Sequence, residues 1–116
     1  MDIVLQHDPA LVRFGQAVSS AYGDAVERVV LYGSRARVDA RPDSDYDIAV
    51  FLHDLPDHAD AMNRFADIGT DILYDIGQVV HAMPFPSGVY RDRTALMRDI
   101  RRDGVEIKLL SNRSHC

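Results

Sequence analysis

The chain has 116 residues, 47% of them apolar and 27% charged, with a net charge of −5 and one cysteine, Cys116. That length suits one domain, expected over residues 1–110 with a frayed tail at 111–116, and the lone cysteine excludes an internal disulfide or a thiolate metal site. No apolar run nears the ~20 residues of a membrane span, so no membrane partner and a cytoplasmic location are expected, and the acidic balance disfavours nucleic acid as a direct substrate. The charge is uneven: residues 1–90 carry −8 and residues 91–116 carry +3. A basic end beside an acidic body fits either a solvated helix or a contact with phosphates or an acidic partner.

Asp8-Pro9 is a helix start, with Asp as N-cap and Pro in the first turn. Leu11, Phe14, Gly15, Val18 and Tyr22 follow at helical spacing, and Gly23 closes the run. Residues 28–32 (RVVLY) read as a strand too apolar to be exposed on either face, and therefore central. Gly33-Ser34 then opens a short helix. Unpaired N–H groups and a partial positive charge at such a turn attract phosphate. Gly33 lets the backbone approach an anion, and Ser34 can cap the helix or donate to a phosphate oxygen. Arg35, Arg37 and Arg41 fall in the following stretch, with Arg41 held extended by Pro42.

A second strand enters through Asp45-Tyr46-Asp47. Side chains two apart share a face of a strand, so Asp45, Asp47, Ala49 and Phe51 lie on one side, and Tyr46, Ile48, Val50 and Leu52 on the other. The second set is apolar and should pack on helices. The first brings two carboxylates to within roughly 7 Å of each other at the strand's start. Such a pair repels unless a cation or water separates it. Carboxylate oxygens suit Mg²⁺, which takes its other ligands from water and substrate phosphates. The anion cradle and the dicarboxylate together describe a site for a Mg-bound nucleoside triphosphate.

His53 and His58 are five apart around a proline, which is neither helical nor zinc spacing. Asp57 caps the most periodic helix, with Met62, Phe65, Ala66, Gly69, Ile72, Leu73 and Ile76 as its core stripe and Gly77 as its stop. Asp67, Asp71 and Asp75 read as its solvated face. Residues 78–83 (QVVHAM) form a third strand, and Pro84, Pro86 and Gly88 mark a loop. If Val80 faces the core, His81 is the polar side chain of this strand that faces the site, though a core histidine is the favoured reading. Residues 90–103 form an amphipathic helix with Tyr90, Leu96, Met97 and Ile100 inward. VEIKLL is a last edge strand from which Glu106 could also reach the site. The order implies an α/β domain, α+β-like, with a small mixed sheet, helices mainly on one face, and the opposite face open for ligand.

Gly33-Ser34, ten residues, then Asp45-Tyr46-Asp47 resembles the signature of the DNA polymerase β-like nucleotidyltransferase superfamily. GSRAR followed by SDYDIAVFL is most similar to its minimal members, the MNT domains often paired with HEPN-domain proteins, and LMRDIRRDGVEIKLL is similar to the end of one branch of them. The resemblance implies Gly33, Ser34 and Arg37 as nucleotide-binding residues and Asp45 and Asp47 as ligands of Mg²⁺ or Mn²⁺. It further implies ATP as the substrate, and AMP transfer to a tyrosine of a HEPN-type partner by this chain as antitoxin. In the superfamily a later strand supplies a third carboxylate. Here that strand carries His81 and no acid, so Asp45, Asp47 and His81 are the catalytic candidates. The alternative is a catalytically degenerate module that neutralises its partner by contact. The oligomeric state, a homo-oligomer included, is left open.

Overall fold

The first strand forms inside a sheet because its central residues, Val29, Val30 and Leu31, are apolar on both faces. In the computed structural model, which describes residues 8–36, 44–54 and 57–107 (backbone only at Ser34 and Arg35), it runs Val26–Tyr32 and is named β1. β2 (Tyr46–Leu52), β3 (Val80–Pro86) and β4 (Val105–Glu106) complete a four-stranded sheet in the order β3-β2-β1-β4. β1 is antiparallel to β2 and β4, and β2 is parallel to β3. Val29 to Leu31 and Ile48 to Leu52 are buried, as two inner strands covered on both sides require.

The helices start and stop where their caps put them. Asp8 accepts from the Ala10 and Leu11 N–H groups at the head of α1 (Pro9–Tyr22), and Asp57 accepts from the Asp60 N–H at the head of α2 (His58–Ile76). Gly77, at φ +73°, ends α2 in the left-handed conformation. Thr94 caps the shorter α3 (Ala95–Asp103) through the Met97 N–H. No described helix is long and apolar enough to cross a membrane.

Strand parity divides the core. Tyr46, Ile48, Val50 and Leu52 pack with Leu11, Phe14 and Val18 of α1 and Phe65 and Ile72 of α2. Ala49 and Phe51 meet Val30, Met97 and Ile100 on the other face. Each such side chain contributes about 1.5–3 kcal/mol by leaving water. Among the described residues, this second face is uncovered at its Asp45 end. At the Phe51 end, α3 and the 3-10 turn Ser87–Arg91 cover it, with Phe51 stacked on Phe85 at 5.4 Å and edge-on to Tyr90 at 5.3 Å. Leu96, expected inward, is 42% exposed. The helix does not run on from Tyr90; it restarts at the Thr94 cap, and that phase turns Met97 and Ile100 to the sheet.

β3 is longer than expected and includes Pro84 and Pro86. The Tyr46 N–H donates to the Val79 carbonyl at 2.9 Å while Tyr46 pairs with Val80. In a parallel ladder that phase turns the peptides of residues 80, 82, 84 and 86 away from β2. Both prolines therefore stand on outward positions of an edge strand, where no ladder bond is lost. β3 is the last strand on its side, so α2 overhangs the sheet. Ala61, Phe65 and Ile72 are buried, and Ile68 and Ile76 pack beside them. Ala66 and Leu73, expected in the core, are exposed. Asp67, Asp71 and Asp75 are exposed as read, with Asp75 paired to Arg13.

Candidate functional site

β1 ends at Tyr32, which pairs with Asp47 across the antiparallel ladder. The chain then turns at Gly33 (φ +74°) into the 3-10 turn Gly33–Ala36. A Cβ at Gly33 would lie 2.5 Å from Oδ2 of Asp47. Only a glycine lets the carboxylate rest against this turn. The Gly33 turn and the second aspartate of the D-x-D thus lie against each other.

Asp45 and Asp47 flank Tyr46, whose side chain goes through to the opposite face. There its hydroxyl donates to Oδ2 of Asp8 at 2.8 Å, while Oδ1 of the same carboxylate caps α1. Burial raises the Asp47 carboxyl above its ordinary range; the charge of His81 lowers it, and the negative charge of Asp45 adds to the rise. Tyr32 is raised too, by burial first and by Asp47 second. His81 sits opposite Asp47 in the parallel register and faces the open side, with Nε2 3.1 Å from Oδ2 of Asp45. Its side chain is 61% exposed, which removes the core-histidine reading.

Other candidates do not join this cluster. Glu106 pairs with Val30 and so shares the face of Asp47, but its carboxylate is held by Arg28 at 3.0 Å. Arg28 lies opposite Phe51, four residues from Asp47, with its guanidinium 4.0 Å from the Tyr90 ring centre. His53 and His58 are both exposed. Arg37 and Arg41 lie outside the described residues, as does the Ser34 side chain. Among the described residues no group of three or more His, Cys, Asp or Glu side chains is gathered to hold a metal. Among the described residues, Asp45 and Asp47 offer two carboxylates at the start of β2, the second of them against Gly33. Their mutual repulsion and the partial burial of Asp47 are both relieved by a hard divalent cation, and Mg²⁺ needs only one or two protein carboxylates when phosphate and water supply the rest. The residues fit such an ion.

Sequence reasoning missed the Asp8–Tyr46 bond, which joins positions 38 apart with no local signal. It also passed over Tyr32, although an antiparallel pairing of the two strands around the turn brings Tyr32 beside Asp47.

The family model described as Polymerase beta, Nucleotidyltransferase matches residues 17–84, a span that holds Gly33, Asp45, Asp47 and His81. Among solved structures, a toxin–antitoxin crystallised with AMP-PNP is similar at 16% identity and a TM-score of 0.61, over 84% of this chain and 72% of that one. A mutant of the toxin–antitoxin MntA-HpeT is similar at 14% identity and a TM-score of 0.56, over 80% of this chain and 68% of that one. At these identities the likeness is one of fold. No curated protein sequence matches significantly. The family match takes in more than half of the chain and joins the two strands and the turn around which the site is built, so the chain belongs to the polymerase β nucleotidyltransferase family.

Proposed function

We propose that the chain transfers AMP from ATP to a hydroxyl of a partner protein, a HEPN-type toxin, and so serves as the antitoxin of a toxin–antitoxin pair. The observation that carries this reading is the close approach of the Asp47 carboxylate to the Gly33 turn, which supports a site built from that turn and the two aspartates. Gly33, the Ser34 N–H and Arg37 hold the triphosphate. Asp45 and Asp47 would hold Mg²⁺ or Mn²⁺, which supplies the positive charge that neutralises the phosphates. The acceptor oxygen bonds to the α-phosphorus while the bond from that phosphorus to the bridging oxygen breaks, releasing pyrophosphate. His81, beside Asp45, takes the acceptor's proton. The toxin–antitoxin neighbours, one of them crystallised with AMP-PNP, support both the nucleotide and a protein acceptor.

A second reading, in which the chain binds its partner without transferring a group, is favoured by His81 at a position where the superfamily has an acid. Incubation with α-labelled ATP, Mg²⁺ or Mn²⁺ and the protein encoded beside this chain's gene separates the two. The enzyme reading expects label on that protein and none with the Asp45→Asn, Asp47→Asn double variant. A stable complex without label supports the second reading.

A further inference from the structure

The apolar stripe of α2 is wider than the sheet beneath it. One half of the stripe is buried. The other half, on the flank toward β3, holds Met62, Ala66, Gly69 and Leu73 at helical spacing, with Ala66 and Leu73 in solvent. Of the four most exposed large apolar side chains among the described residues, Leu73 (43%), Tyr74 (82%) and Val79 (37%) fall within seven residues at the end of α2 and the approach to β3. No charged side chain stands on this flank. The helix's charged residues, Asp60, Arg64, Asp67, Asp71 and Asp75, lie on its back and other flank.

A groove of about 230 Å³ runs between this flank and the edge strand, lined by Met62, Ala66, Val80, Ala82, Met83 and His81. His81 belongs to both the groove and the site, since its Nε2 lies 3.1 Å from Asp45. A segment lying along α2 comes against the edge strand on whose other face His81 meets the dicarboxylate.

We propose that this flank and groove dock a protein partner. Apolar side chains of that partner lie against Met62, Ala66 and Leu73, and its basic side chains meet Asp67 and Asp71 on the far side of α2, Asp60 and Asp75 being paired already to Arg64 and Arg13. This rests on the reading above only in taking the acceptor to be a polypeptide. Charge selects the occupant. Among the described residues, a nucleic acid would find no Lys or Arg lining the groove. A second copy would bring the same row of aspartates and the same net charge of −5, whereas a basic partner neutralises them.

The test uses the full chain and the purified protein encoded beside its gene. Ala66→Arg and Leu73→Arg alter exposed helical positions with a good helix former, so the fold should persist. Leu96→Arg, at an equally exposed apolar position on α3, is the control. By titration calorimetry, wild type and Leu96→Arg should bind the partner alike and lose affinity as salt is raised. Ala66→Arg and Leu73→Arg should each raise Kd at least tenfold. The proposal is overturned by unchanged affinity in both groove variants or by no complex with wild type. It is also overturned if sedimentation shows a homodimer of the chain alone that these variants dissociate. The Asp45→Asn, Asp47→Asn variant separates this inference from the functional reading. It should lose Mg-ATP binding and keep the partner; if it binds Mg-ATP as wild type does, the nucleotide reading fails and the docking surface stands.

Discussion

Gly33→Ala tests whether the turn and the carboxylate form one site, and Gly77→Ala is its internal control. Both glycines hold nearly the same positive φ, +74° and +73°. An L side chain in that region costs about 1–2 kcal/mol. Around Gly77 a new Cβ meets nothing within 4 Å, so that variant shows the backbone term alone. At Gly33 the Cβ would be 2.5 Å from Oδ2 of Asp47, so the carboxylate must swing out of its rotamer, at a further cost of about 0.5–1.5 kcal/mol. Urea denaturation in metal-free buffer should find Gly77→Ala destabilised by about 1–2 kcal/mol and Gly33→Ala by about 1.5–3.5 kcal/mol. Mg-ATP at a hundred times its Kd should add about 2.7 kcal/mol to wild type and Gly77→Ala. It should add almost nothing to Gly33→Ala, because the displaced Asp47 no longer meets the ligand. Equal losses and equal ligand increments in the two variants would mean that Gly33 is only a turn residue.

Asp47 gives a pH signature. Its carboxyl is raised above the ordinary 3.8, so the folded chain holds that proton more tightly than the unfolded chain, and stability falls as pH rises from about that value through the folded one. Asp47→Asn should remove this fall and raise the urea midpoint of the metal-free protein near neutrality; a midpoint lowered there, with the fall intact, would refute the argument. His81→Asp, facing Asp45, should lower the melting temperature without ligand, since three carboxylates then repel, and enlarge the Mg-ATP-induced rise. A lower melting temperature with no larger rise would take position 81 out of the metal's reach. Tyr46→Phe should cost about 1 kcal/mol through its bond to Asp8. If Tyr46→Phe in an Asp8→Ala background costs as much as it does alone, the bond contributes nothing.

The sequence carried the parts of the fold whose period is short. The two-residue repeat of a strand put Asp45 and Asp47 on one face and Ile48 and Val50 on the other, and the same alternation turned His81 to the site. Caps at Asp8, Asp57 and Gly77 were legible because each acts within four residues. What escaped depends on partners far along the chain. The register that turns Pro84 outward is set by Tyr46, and the carboxylate of Glu106 goes to Arg28. The depth of the α2 stripe depends on where the sheet stops, and no periodicity in α2 encodes that. Ala66 and Leu73 therefore read as core while standing in water.

The prolines of β3 have a consequence for how the molecule behaves in a crowded solution. An edge strand with outward N–H groups beside exposed apolar side chains is a template on which other chains can add strands and aggregate. At Pro84 and Pro86 that template lacks its donors along the second half of the strand. The outward donors that remain are those of Val80 and Ala82, at the end of the strand nearest Val79. Pro84→Val with Pro86→Thr should restore the missing donors, and turbidity or thioflavin fluorescence on standing should rise in that variant alone.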